Sequence, residues 1–152
     1  QLDPLAWPSH TPPADIAAHV VNWATSHMAS SPVLVYSTAD AEQVKSVQAQ
    51  RGSQLAGEHT EQVLAHVAQQ LVQHGVAQLV IAGGETSGAC VQALGISQLA
   101  IGAQIDPGVP WCYAPSRFAQ SGGLHITLKS GNFGSVDFFA KAFQALQEAA
   151  QP

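Results

Sequence analysis

The chain has 152 residues, 46% of them hydrophobic, and a net charge of −5 with only five basic side chains. That length suits one domain able to bury a sizeable core, and so little positive charge leaves no face to follow a nucleic-acid backbone. The two cysteines, Cys90 and Cys112, make no disulfide framework, no signal-type segment opens the chain, and no apolar run nears the roughly 20 residues of a membrane helix, so a soluble, cytoplasmic protein is expected, with no nucleic-acid and no membrane partner.

Residues 1–13 carry Pro4, Pro8, Pro12 and Pro13, which cannot sustain a helix. They are read as a linker or domain edge, with residues 14–152 as the domain proper and the chain as part of something longer. From Asp15 to about Met28, Ile16, Val20, Trp23 and Ala24 recur at helical spacing. Val33 to Tyr36 is a short β-rich run, and Asp40 followed by Gln43 has the spacing of a capping box. Thr60 to His74 carries Val63, Leu64, Val67, Leu71 and Val72 on one stripe and meets Gly75, a helix-stopping residue. Leu79 to Ala82 is wholly apolar, as in a strand covered on both faces, and a helix from Ser87 to Leu94 should follow. Further short strands are expected at Leu99–Ile101, Trp111–Tyr113 and Ile126–Leu128, and a closing helix at Val136–Ala149. The order predicts an α/β fold: a parallel or mixed sheet with helices packed on it in a three-layer α/β/α arrangement.

Two glycine-bearing loops stand out. In the first, Ala82 leads into Gly83, Gly84, Glu85, Thr86, Ser87 and Gly88. Adjacent glycines let a backbone come close to a ligand, and the free N–H groups at a helix start present positive partial charge to an anion such as phosphate. Thr86 and Ser87 add hydroxyls, although either could instead cap the helix. The turn is neither a P-loop nor a dinucleotide fingerprint. In the second, Lys129, Ser130, Gly131 and Asn132 precede Phe133 and Gly134 after another strand, so the two loops could face one pocket. The Lys129 ammonium could pair with a phosphate oxygen or be solvated at a strand end. Between them, Gly102 to Trp111 reads as a rigid loop fixed by Pro107, Gly108 and Pro110. The seven histidines form no ligand pattern and are read as surface residues, and both cysteines as small buried groups. Glu85 and Asp106 are acidic loop residues that could meet Mg²⁺ directly or through water, or cap and turn the chain.

These blocks, namely 82–88, Ile105 to Trp111 and Leu128 to Gly134 with Asp137-Phe138-Phe139, resemble the four-carbon acid sugar kinases, a family that includes the tetronate and 3-oxo-tetronate kinases. The similarity runs in order from about Val33 to Phe139. It implies an ATP-dependent kinase acting with Mg²⁺ on the terminal hydroxyl of a C4 sugar acid, of which this chain is the carboxy-terminal nucleotide-binding domain. Its partner is then an amino-terminal acid-sugar domain, where the catalytic base would lie, and the family's Gly-Ser-Cys-Ser block, another part of the nucleotide site, would fall before Gln1. The resemblance implies ATP contacts at Gly83, Gly84, Glu85, Thr86, Ser87, Gly88, Lys129, Ser130, Gly131 and Asn132, and fixes no protein ligand for the metal. Ala103-Gln104 departs from the family's usual Pro-Glu, and Cys112 from a common Thr.

A regulatory domain that senses a nucleotide or another phosphorylated metabolite without catalysis, and a sugar-phosphate isomerase, are the alternatives. Charged residues make up 10% of the chain against about 25% in an ordinary domain. One face is therefore expected to be an interface, with a second domain or in a homo-oligomer.

Overall fold

The computed structural model describes residues 1–3, 5–8, 10–29, 31–37, 53–131 and 133–149. Helix α1 (Pro13–His27) begins with proline, whose missing N–H costs nothing in a first turn, and buries Ile16, Ala17, Val21 and Ala24. Helix α2 (Ser53–Gln73) follows. It buries two stripes: Val63, Val67 and Leu71 meet α1, while Ala65, Ala68 and Val72 meet the sheet side. A helix apolar on two sides must sit between layers. It ends in a Schellman motif, with Gly75 N donating to Val72 O and Val76 N to Leu71 O, made accessible by Gly75 at φ +98°.

The remaining elements are β1 (Gln78–Ala82), α3 (Gly84–Ala93), β2 (Ala100–Asp106), β3 (Val109–Pro115), β4 (Gly123–Lys129) and α4 (Phe138–Ala149). The sheet order is β1-β4-β3-β2. β1 runs parallel to β4, and the other two pairings are antiparallel, so the sheet is mixed. Successive side chains alternate between its faces. Ile81, Ala114, Leu124 and Ile126 pack with Val72, Cys90 and Leu94 under α2 and α3, whereas Ile105, Val109 and Trp111 pack with Phe138 and Ala142 of α4. The indole Nε1 of Trp111 donates to Ala142 O at 2.7 Å, tying α4 to the second face. This is the expected three-layer α/β/α fold, with α1 added outside α2.

Residues 1–13 lie against this unit where described: Leu2 is buried with Ile16 and Val63, and Trp7 sits on His19 with ring centroids 5.0 Å apart. Val33 to Tyr36 is not a strand. Apolar composition alone does not make one without a ladder to join, and the recorded backbone bond there is Leu2 N to Tyr36 O. The helix expected at Asp40 lies outside the described residues. The Gly102–Trp111 loop is instead most of a β-hairpin. Pro107 and Gly108, the latter at φ +77°, connect Asp106 to Val109 with the residue order of a type II turn, and register shifts around Gln104 absorb the irregularity.

Both cysteines act as packing groups. Burial pushes the Cys90 thiol up to about 11 and also raises Cys112. The described residues include no helix long and apolar enough to cross a membrane. Large apolar side chains are exposed just before and along β2 and β3 (Leu99, Ile101, Tyr113) and before and within the start of α4 (Phe133, Val136, Phe139).

Candidate functional site

Parallel pairing brings the two glycine loops together. β1 and β4 end side by side, with Ala82 opposite Lys129, and Gly83 N donates to Lys129 O at 2.9 Å. The turn 83–88 and the loop 130–134 therefore leave the same end of the sheet from adjacent strands, which is where open α/β sheets form ligand crevices.

Helix α3 starts at Gly84, three residues earlier than its periodicity suggests, because Gly83 takes φ +113° and serves as the N-cap. Its carbonyl accepts from Ser87 N at 2.9 Å. No side chain caps this helix, so the reading of Ser or Thr as a simple cap does not hold. The N–H groups of the first turn, Gly84 to Thr86, have no intrahelical acceptors by construction and carry the positive end of the helix dipole. A Cβ built on Gly84 or Gly88 meets nothing within 4 Å, so space lies open beside both. The hydroxyl of Ser87 is buried with no hydrogen-bond partner among the described residues. Glu85 is exposed and adds to the upward shift of the Glu61 carboxyl, whose first cause is burial.

Lys129 is not a solvated strand end. Its side chain is buried, and Nζ donates to Ser130 O and Gly131 O, each at 3.1 Å, above the Phe138 ring. The ammonium thus fastens the second loop from within. Thr127, two residues earlier on the same face of β4, is fully buried, and its hydroxyl is also unpartnered among the described residues. Asn132 is outside the described residues.

At the loop's far end Gly134 has φ +94°, and a Cβ there would stand 2.8 Å from the Phe138 ring. Positive φ and overpacking each cost on the order of 1 kcal/mol or more, so Gly134→Ala should destabilise the chain by about 1–3 kcal/mol, lowering its thermal midpoint by several degrees in a calorimetric scan.

Asp106 reaches this loop from the β2–β3 hairpin. Its carboxylate accepts from Ser135 N at 2.8 Å, from Ser135 Oγ at 2.9 Å and from Lys141 Nζ. The Lys141 and Ser135 bonds hold its pKa at about 2. Since that lies below the ordinary 3.8, the interaction stabilises the fold above about pH 4 and is lost as pH falls through about 2. These three donors occupy the carboxylate. Among the described residues no three His, Cys, Asp or Glu side chains converge on a metal-sized site.

The partnership of Asp106 with Ser135 and Lys141 was not visible in the sequence, because 29 and 35 residues separate the partners and no periodicity links a hairpin to a later helix. The approach of Glu61 to Glu85 was hidden for the same reason.

Residues 1–139 match the family model described as the nucleotide-binding C-terminal domain. The 3-oxo-tetronate kinase of Burkholderia multivorans is 49% identical over 150 residues, covering 99% of this chain and 33% of that protein. The 3-oxo-tetronate kinase of Pseudomonas savastanoi pv. phaseolicola is 51% identical over 122 residues, covering 80% and 28% respectively. The chain therefore spans about a third of the length of these curated relatives. Among solved structures, a Haemophilus influenzae protein of the DUF1537 family superimposes with a TM-score of 0.74 at 38% identity, covering 84% of this chain and 30% of that one.

Proposed function

This chain belongs to the family of nucleotide-binding C-terminal domains, and from that premise we propose that it holds ATP for a kinase that phosphorylates the terminal hydroxyl of a four-carbon sugar acid. The observation that carries the reading is the uncapped N-terminus of α3 at Gly83 and Gly84, set directly beside the Lys129–Gly134 loop. Phosphoryl transfer needs little covalent chemistry from a protein and much positioning and charge neutralisation. Backbone N–H groups at 84–86 supply fixed positive partial charge for phosphate oxygens. The buried Lys129 ammonium holds the second loop in shape and places a positive charge under it.

Mg²⁺ would arrive with the phosphates, neutralising their charge, with Glu85 the acidic residue of the turn beside it. The sugar-acid site and the group that accepts the hydroxyl proton are assigned to the part of the kinase outside this chain. The relatives that carry this similarity are named 3-oxo-tetronate kinases, which makes a 3-oxo-tetronate the first acceptor to try.

Calorimetric titration of the chain with Mg-ATP, Mg-ADP and adenosine tests the reading. ATP and ADP should bind with a Kd on the order of 1 mM or tighter, about 4 kcal/mol, and adenosine more weakly because it lacks the phosphates. Equal heats for adenosine and ATP, or no binding of any of them, would overturn it.

A further inference from the structure

We propose that Asp106 is a positioning residue of this site, fixing the far end of the Lys129–Gly134 loop through Ser135. The inference rests on the nucleotide reading for its functional meaning and on hydrogen-bond geometry for its structure. The loop has two anchors. Its near end is held by the pairing of β4 with β1 and by Gly83 N on Lys129 O. Its far end is held by the Asp106 carboxylate, which is 7% exposed and takes both the N–H and the hydroxyl of Ser135 on one oxygen. Between the anchors the loop carries internal bonds from Lys129 Nζ and from Phe133 N to Ser130 O.

All three recorded donors to Asp106 come from residues 135–141, the junction between loop and α4. The carboxylate sits at the tip of a hairpin whose turn is stiffened by Pro107, so it is a rigid post rather than a mobile contact. Removing it leaves the Ser135 N–H and hydroxyl without their acceptor and frees one end of a glycine-containing loop. A loop free at one end must be ordered when ligand binds, and that entropy is subtracted from affinity.

The test uses Asp106→Ala, Asp106→Asn and, as a control for stability alone, Leu146→Ala, which removes packing from the same α4 cluster farther along the helix than Lys141. Two readouts are taken: Mg-ADP affinity and amide hydrogen exchange of residues 130–134 without ligand. Asp106→Ala should weaken Mg-ADP about tenfold and speed loop exchange by a similar factor. Asp106→Asn, whose amide oxygen still accepts from Ser135, should recover most of both. Leu146→Ala should change neither, although it lowers thermal stability. Unchanged loop exchange in Asp106→Ala, or equal losses in Leu146→Ala, overturns the inference. If the unmodified chain binds no Mg-ADP, the nucleotide reading fails, while the exchange data still decide whether Asp106 holds the loop.

Discussion

Gly84→Val is expected to lower Mg-ATP affinity by about 100-fold, on the order of 3 kcal/mol, while leaving the thermal midpoint nearly unchanged. The two halves of that expectation have separate causes. Gly84 opens α3 behind the Gly83 N-cap, and a Cβ added there meets no atom within 4 Å, so the larger side chain fits the folded chain. Glycine is also the poorer helix former, by roughly 0.5 kcal/mol against valine, so stability should not fall. The branched side chain would then occupy the open space beside the first-turn N–H groups and keep phosphate oxygens from reaching them. Calorimetric titration gives the affinity, and a thermal scan of the same sample gives the stability. A stable variant that binds Mg-ATP as tightly as the parent would show that this turn is structural only.

The larger expected effect concerns catalysis. The chain by itself should transfer no phosphate to any C4 sugar acid, even under conditions where it binds Mg-ATP. Holding donor and acceptor in a near-attack geometry is worth effective molarities of roughly 10⁵ to 10⁸ M, and in the proposed kinase the acceptor is held by the portion of the relatives that this chain does not span. Beside the turn the described residues offer the carboxylates of Glu85 and of Glu61, which approaches it, whereas Asp106 is occupied by Ser135 and Lys141, and the Lys129 ammonium by two carbonyls. A coupled assay for ADP release with a panel of C4 acids, run beside a full-length relative as the positive control, measures this. Turnover by the chain alone would place a complete active site within it, with Glu85 the first group to replace.

Much of the fold could be read directly from local patterns. The stripe of α2, the Gly75 stop, the apolar run of β1 and the glycines at 83–84 each arise from residues a few positions apart, where periodicity and turn chemistry act. The same local logic misplaced the start of α3. Ser87 is a typical cap residue, but Gly83 at φ +113° begins the helix three residues sooner. It also took Gly102–Trp111 for a loop, since glycine and proline content does not distinguish an irregular connection from a bulged hairpin closed by a two-residue turn.

The sequence by itself determined the element types outside Val33–Tyr36 and Gly102–Trp111, the two glycine loops and the family they resemble, because each is written in short consecutive blocks. Only the tertiary structure decided that those loops are neighbours, through the parallel register of Ala82 with Lys129, and that Lys129 points inward to fasten its own loop. It alone paired Asp106 with Ser135 and Lys141. Such contacts join residues that the sheet order brings together across 29 to 47 positions of chain, and no local periodicity records which strand will lie beside which.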